Sequence, residues 1–189
     1  MTATVKGTTD SIESPSVIDV AIDASGPNLA AIGAIAGLKN LPAEPFTASG
    51  RIQWAGFPLQ CDNVRVRVGD NTLSVHGVLG EPPLMLGTDF EFDGGGPDIS
   101  AVVALVGLEM PRESYKVDGR LVRLEDALGI EGIRLEVGQV TLEVDGKVGD
   151  PPEYEGTALE FRGDGPNLAR LQNLVGIDLP AEPFEVSGR

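Results

Sequence analysis

The feature that most constrains what this 189-residue chain can fold into is that it repeats itself. Gly26-Pro27-Asn28-Leu29 leads through Pro45-Phe46 to Ser49-Gly50-Arg51. Gly96-Pro97-Asp98-Ile99 leads through Tyr115 to Asp118-Gly119-Arg120, and Gly165-Pro166-Asn167-Leu168 leads through Pro183-Phe184 to Ser187-Gly188-Arg189. The prolines step by 70 and then 69 residues, and the Gly-Arg pairs by 69 twice. The residues in between follow suit: Val75-His76-Gly77 answers to Val144-Asp145-Gly146, and Gly80-Glu81-Pro82-Pro83 to Gly149-Asp150-Pro151-Pro152. A fixed period of this length specifies a row of like units, each packing on its neighbours, in place of one closed globule. It divides the chain into the end of a preceding repeat (1–16), unit 1 (17–83), unit 2 (84–152) and a partial unit 3 (153–189). Thr2 to Gly7 matches Thr141 to Gly146, so the chain reads as a window on a longer array.

Within each unit the apolar residues alternate with polar ones. Leu84, Leu86, Thr88, Phe90 and Phe92 interleave with Met85, Gly87, Asp89, Glu91 and Asp93. Val64, Val66 and Val68 flank Arg65 and Arg67; Ile133, Leu135 and Val137 flank Arg134 and Glu136; Val140, Leu142 and Val144 flank Thr141 and Glu143. Ile18, Val20 and Ile22 alternate in the same way with Asp19, Ala21 and Asp23. A period of two with β-branched residues on one side marks half-buried antiparallel strands, because a fully buried parallel strand would be apolar on both sides. Gly69-Asp70-Asn71, Gly80 to Pro83, Gly138-Gln139 and Gly149 to Pro152 supply the turns. Unit 2 is thus expected to hold strands near 84–92, 114–123, 133–138 and 140–148. After the first strand of each unit the spacing becomes helical, as in Ile99, Val102, Val103 and Val106 before Gly107, with Pro97 at the expected first helical position. Helices of about ten residues do not hold alone in water, so their apolar stripe must dock on the sheet.

The fold class read from these patterns is mainly β: a repeat antiparallel β-groove, formed as a curled open sheet with one short amphipathic helix per unit. Eleven strands at about 4.8 Å spacing span on the order of 48 Å, and strand twist is expected to curl them into a trough. The trough floor takes Val64, Val66, Val68, Leu73 and Val75 in unit 1. In unit 2 it takes Leu84, Leu86, Phe90, Phe92, Val117 and Leu121, then Ile133, Leu135, Val137, Val140, Leu142 and Val144.

A net charge of −15, from 29 acidic and 14 basic residues, argues against nucleic acid and against an anionic membrane surface as partners. No apolar run reaches the roughly 18 residues of a spanning helix. Neither a catalytic centre, a metal site nor a cofactor is expected. His76, the single histidine, falls on the polar side of its strand, where the matching residues are Lys6 and Asp145. Cys61, the single cysteine, follows Pro58-Leu59-Gln60 at a loop-to-strand junction without a second thiol. Asp89 and Glu91 point one way like the carboxylates of a hydrolase, yet Asp19/Asp23 and Glu143/Asp145 recur in the same manner, as a solvated face would. Gly94-Gly95-Gly96-Pro97 lacks the lysine of a phosphate-cradling loop and reads as loop-to-helix punctuation.

The order Gly-Pro-Asn-Leu-Ala, short apolar helix, Gly, Leu-Pro, Pro-Phe, Ser-Gly-Arg resembles the repeat in the C-terminal regions of the AsmA family of bacterial envelope proteins. Gly165 to Arg189 carries the whole pattern and Gly26 to Arg51 nearly all of it. Gly96 to Arg120 departs with Met110-Pro111 and Tyr115. The resemblance implies a periplasmic β-sheet groove in an inner-membrane-anchored protein of the Gram-negative envelope, conducting phospholipid between inner and outer membranes. It also implies an architecture similar to the bridge-like lipid-transfer proteins. Phospholipid acyl chains would then be the partner of the apolar side, with membrane association supplied by segments outside this sequence. The competing reading is a structural or adhesive envelope repeat whose helices and loops seal the same side.

Overall fold

A computed structural model describes residues 2–9, 18–31, 42–100, 112–171 and 179–189. The first five strands are β1 Thr2–Thr9, β2 Ile18–Gly26, β3 Phe46–Trp54, β4 Leu59–Val68 and β5 Asn71–Leu79. They continue as β6 Asp89–Gly96, β7 Tyr115–Arg123, β8 Ala127–Val137, β9 Val140–Gly149, β10 Ala158–Gly165 and β11 Phe184–Gly188. All eleven form one antiparallel sheet in sequence order. Alternating β-branched residues make the strands, and glycine makes the tight turns. Gly69 and Gly138 take φ of 57° and 58° at the first position of their two-residue hairpin loops, a conformation open to glycine without steric cost.

The sheet is mainly β as expected, but it does not curl. Twist rotates neighbouring strands; bringing the edges of a sheet together further requires tilt and accumulated stagger. Here one row of partners, beginning at Ala3 and ending at Val186, crosses every strand, so little stagger builds up.

The backbone carries the 69-residue period in its special conformations. Positive φ recurs at Asn63 and Gly132 (48° and 55°), at Gly77 and Gly146 (120° and 133°), and at Met85 and Tyr154 (55° each). The register shifts recur between Cys61/Val64 and Ile130/Ile133, and between Ser49/Arg51 and Asp118/Arg120. Leu29, Ile99 and Leu168 each donate their backbone N–H to the carbonyl of a glutamate, Glu44, Glu113 and Glu182, at 2.8–2.9 Å.

Two expectations on element boundaries are corrected. The alternation from Leu84 onward is not all strand, since β6 begins at Asp89 and residues 82–87 form a turn. There Met85 N–H donates to the Glu81 carbonyl at 2.7 Å, and Gly80 N–H to Thr88 Oγ1 at 2.9 Å. The turn's own apolar residues happen to continue the period. Conversely, β8 starts at Ala127, six residues earlier than the expected 133. The extra residue of a bulge shifts the alternation between Ile130 and Ile133, which hides the upstream half.

The helices expected after β2, β6 and β10 fall mostly outside the described residues. Of these stretches, the described residues 29–31 and 99–100 are helical, and Leu168–Leu171 is a 3₁₀ turn. The prolines do not occupy the first helical position. They precede the capping residue: Asn28 Oδ1 accepts from Ala31 N–H at 3.1 Å, Asp98 Oδ1 from Ser100 N–H at 2.9 Å, and Asn167 Oδ1 from Ala169 N–H at 3.0 Å. A short side-chain acceptor satisfies an N–H that the helix start leaves free, which is why each Gly-Pro is followed by Asn or Asp.

Burial is thin. Phe46, Cys61, Ile99 and Ala127 are the buried apolar side chains among the described residues, and they are scattered over the sheet. The accessible surface is 11938 Å² for 19.8 kDa, where a compact monomer of that mass would expose roughly 8,600 Å².

Candidate functional site: the apolar face

Cross-strand partners share a face, so the pairings can be read as rows across the sheet. One row runs Ala24, Ala48, Val66, Leu73, Gly94, Val117, Leu135, Leu142, Gly163 and Val186. A second includes Val64, Val75, Phe92, Gly119 and, beyond the bulge, Ile133, Val144 and Phe161. A third includes Ile52, Cys61, Gly77, Phe90, Leu121 and Ile130. Val68, Tyr115, Val137 and Val140 lie on the same face nearer the helical end. All the expected floor residues therefore share one face except Leu84 and Leu86, which the turn carries off the sheet. None of them is buried, and Leu73, Phe161 and Val186 remain 44%, 41% and 46% exposed.

Glycines let the apolar side chains of the sheet shield one another. A Cβ on Gly188 would lie 2.5 Å from the Phe161 ring, one on Gly165 2.8 Å from the Phe184 ring, and one on Gly119 2.6 Å from Ile133. The large side chains lie down over the gaps their neighbours leave. Phe161 and Val186 carry a weak alternation signal, because glycine takes the next position on the same face after each, Gly163 and Gly188.

The opposite face is charged and laced by ion pairs. The arginine of each Gly-Arg marker reaches a carboxylate on the preceding strand: Arg51 to Asp19 at 2.6 Å, Arg120 to Asp89 at 2.8 Å, and Arg189 to Glu160 at 3.1 Å. Arg120 also reaches Glu131, and Arg134 both Glu136 and Glu143, all at 3.0 Å. Arg51, helped by the Gln53 amide, holds the Asp19 carboxyl below the usual carboxylate range, and Arg120 does the same for Asp89. His76 is exposed here opposite Glu91. It borders a shallow depression of about 400 Å³ with Arg65, Glu91, Asp118, Arg120 and Glu131.

Cys61 lies within β4, buried between Ile52 and Gly77, and desolvation pushes its thiol up. Such a thiol is protonated and unreactive at neutral pH. Among the described strands, the charged side chain that intrudes at the edge of the apolar face is Arg123, paired with Leu128 in the register. Its side chain is 7% exposed and bound to Asp150, whose carboxyl it holds below the usual range. Unit 1 has Trp54 in its place. Among the described residues no helix is long and apolar enough to cross a membrane.

No protein-family model, curated protein or solved structure matches this chain.

Proposed function

We propose that the chain is a non-enzymatic lipid-binding segment of an AsmA-like envelope protein, whose apolar face carries phospholipid acyl chains between inner and outer membranes. The observation behind this reading is the apolar face itself: among the described residues, uncharged rows cross the sheet with their side chains only half shielded, and Leu73, Phe161 and Val186 stay more than two-fifths exposed. Contiguous exposed apolar surface marks a binding site more often than it occurs by chance. Covering about 400 Å² of it with hydrocarbon would contribute on the order of 10 kcal/mol before the cost of association. The rows run across the strands, and the one from Ala24 to Val186 holds no charged residue between β2 and β11. The Gly-Pro-Asn and Ser-Gly-Arg markers connect this surface to the AsmA-like repeat. A periplasmic location, with anchoring by segments outside this sequence, belongs to the same reading.

Leu135→Asp and Leu142→Asp test it, since the two leucines are direct partners on β8 and β9. On a half-open face a new carboxylate reaches water, so the fold should persist while lipid co-purifying with the chain, read by native mass spectrometry, is lost. Under a sealed face the same change would bury an unpaired charge and unfold the sheet. Unfolding would favour the structural repeat, and undiminished lipid capture by a folded variant would overturn the lipid reading.

A further inference from the structure

The two ends of the sheet differ. The helical segments and the hairpin turns Gly69-Asp70 and Gly138-Gln139 lie at one end; the loops 55–58, 80–88, 124–126 and 150–157 lie at the other. At this second end Phe57, Leu84, Leu86, Leu124 and Tyr154 are exposed, Phe57 by 47% and Leu86 by 57%. Their loops neighbour one another and form a rim along this end. A Cβ on Gly87 would sit 3.7 Å from the Pro58 ring, which places the Phe57 loop against the Leu86 turn. Arg123 N–H donates to the Thr88 carbonyl at 2.7 Å, bringing Leu124 beside that turn, and the Arg123–Asp150 pair joins the loop bearing Tyr154.

The same rim is acidic. Its two bases, Arg123 and Lys147, are engaged with Asp150 and Asp126, leaving Glu81, Glu125, Glu153 and Glu155 as exposed carboxylates. Apolar anchors ringed by like charge are the composition of a protein interface, with the charge selecting a partner of opposite sign. The geometry points to this rim as a docking surface for a protein segment that is amphipathic and basic. An anionic bilayer is repelled by the carboxylates, and a zwitterionic one gains nothing from them.

The probe is a short synthetic amphipathic peptide of leucine and lysine, titrated into the full chain with Trp54 fluorescence as the signal. Binding should weaken as salt rises and fall at least about tenfold in the Phe57→Ser/Leu86→Ser variant. It should be unaffected by Leu73→Ser on the apolar face and by Glu91→Gln on the charged face. Lipid capture should be unchanged in the rim variant, which separates failure here from failure of the lipid reading. Equal peptide affinity in wild type and rim variant overturns the proposal. So does binding to vesicles of phosphatidylcholine alone that depends on Phe57 and Leu86, which would make the rim a bilayer contact. Should the apolar double variant not fold, Glu81→Gln/Glu153→Gln/Glu155→Gln decides: a salt dependence as steep as that of wild type overturns the proposal, and a shallower one supports it.

Discussion

Units 1 and 2 share several backbone landmarks among the described residues and differ in their contents. They share the left-handed residues at 63 and 132 and at 77 and 146, with register shifts at corresponding places, and Met85 of unit 2 recurs as Tyr154 of unit 3; the side chains there are Asn and Gly, Gly and Gly, Met and Tyr. At the sheet edge Trp54 gives way to an ion-paired Arg123, and on the charged face His76 gives way to Asp145. The shape of a unit is thus set by where the chain must turn, bulge or approach a neighbour closely. What decorates that shape is free to vary, provided its face stays apolar or charged as the alternation requires.

The harshest test of this comparison is a position where both units use glycine for the same reason. A Cβ on Gly77 would meet the Asp89 carbonyl oxygen at 2.1 Å, and one on Gly146 the Ala158 carbonyl oxygen at 2.2 Å, with φ of 120° and 133°. Backbone cannot retreat as a flexible side chain can. Gly77→Val and Gly146→Val are each expected to cost about 3 kcal/mol or more, breaking β5 from β6 and β9 from β10. Chemical denaturation of each variant checks this. A loss in one unit and none in the other would end the claim that the two are equivalent.

That equivalence also explains what the sequence made legible. The turns, eleven strands and division into two faces were readable because alternation and glycine spacing are local, and each is repeated. The Leu84–Leu86 turn was misplaced because a turn held by Met85 N–H and Thr88 Oγ1 need not interrupt a period of two. The upstream half of β8 was missed because one extra residue inverts the pattern. The lack of curl is a property of accumulated register across all strands, which no single strand encodes. The rim formed by Phe57, Leu86, Leu124 and Tyr154 comes from four separate loops, and its residues have no common spacing.

A milder substitution exchanges what the units already use. Asn63 holds φ of 48° at the bulge where unit 2 has Gly132 at 55°. A non-glycine residue there costs roughly 1 kcal/mol, somewhat less for Asn, which tolerates this region. Asn63→Gly should therefore raise the urea midpoint slightly and Gly132→Asn lower it by a similar amount. A Cβ at 132 meets nothing within 4 Å, so the reverse change isolates the backbone contribution. A larger loss in Gly132→Asn than in Gly77→Val would reverse the order of importance argued above.

The smallest effect expected is with acid, and it compares the arginine-bound carboxylates of the two units with and without their arginines. Asp19, Asp89 and Asp150 titrate below the ordinary range because hydrogen bonds from Arg51, Arg120 and Arg123 favour their ionised forms. A carboxyl whose folded value lies below its unfolded one stabilises the fold above the unfolded value, about 3.9, and ceases to do so as pH falls through the folded value. Their contribution should be whole at pH 5 and above and fade below about pH 4. Acidification also relieves the self-repulsion of a chain carrying −15, which works in the opposite direction. A single pH profile mixes the two, so the informative quantity is the difference between wild type and a variant lacking one cation. Arg120→Met removes the partner of Asp89 and hardly alters the net charge balance; Arg123→Trp puts the residue of unit 1 beside Asp150. In both, the urea midpoint should lie below that of wild type at pH 7 and approach it below pH 4. The gap should be modest for Arg120, a solvent-exposed pair that salt screens, and wider for the shielded Arg123. A gap that persists unchanged at pH 3 would show that these arginines act through packing of their stems and not through their carboxylates.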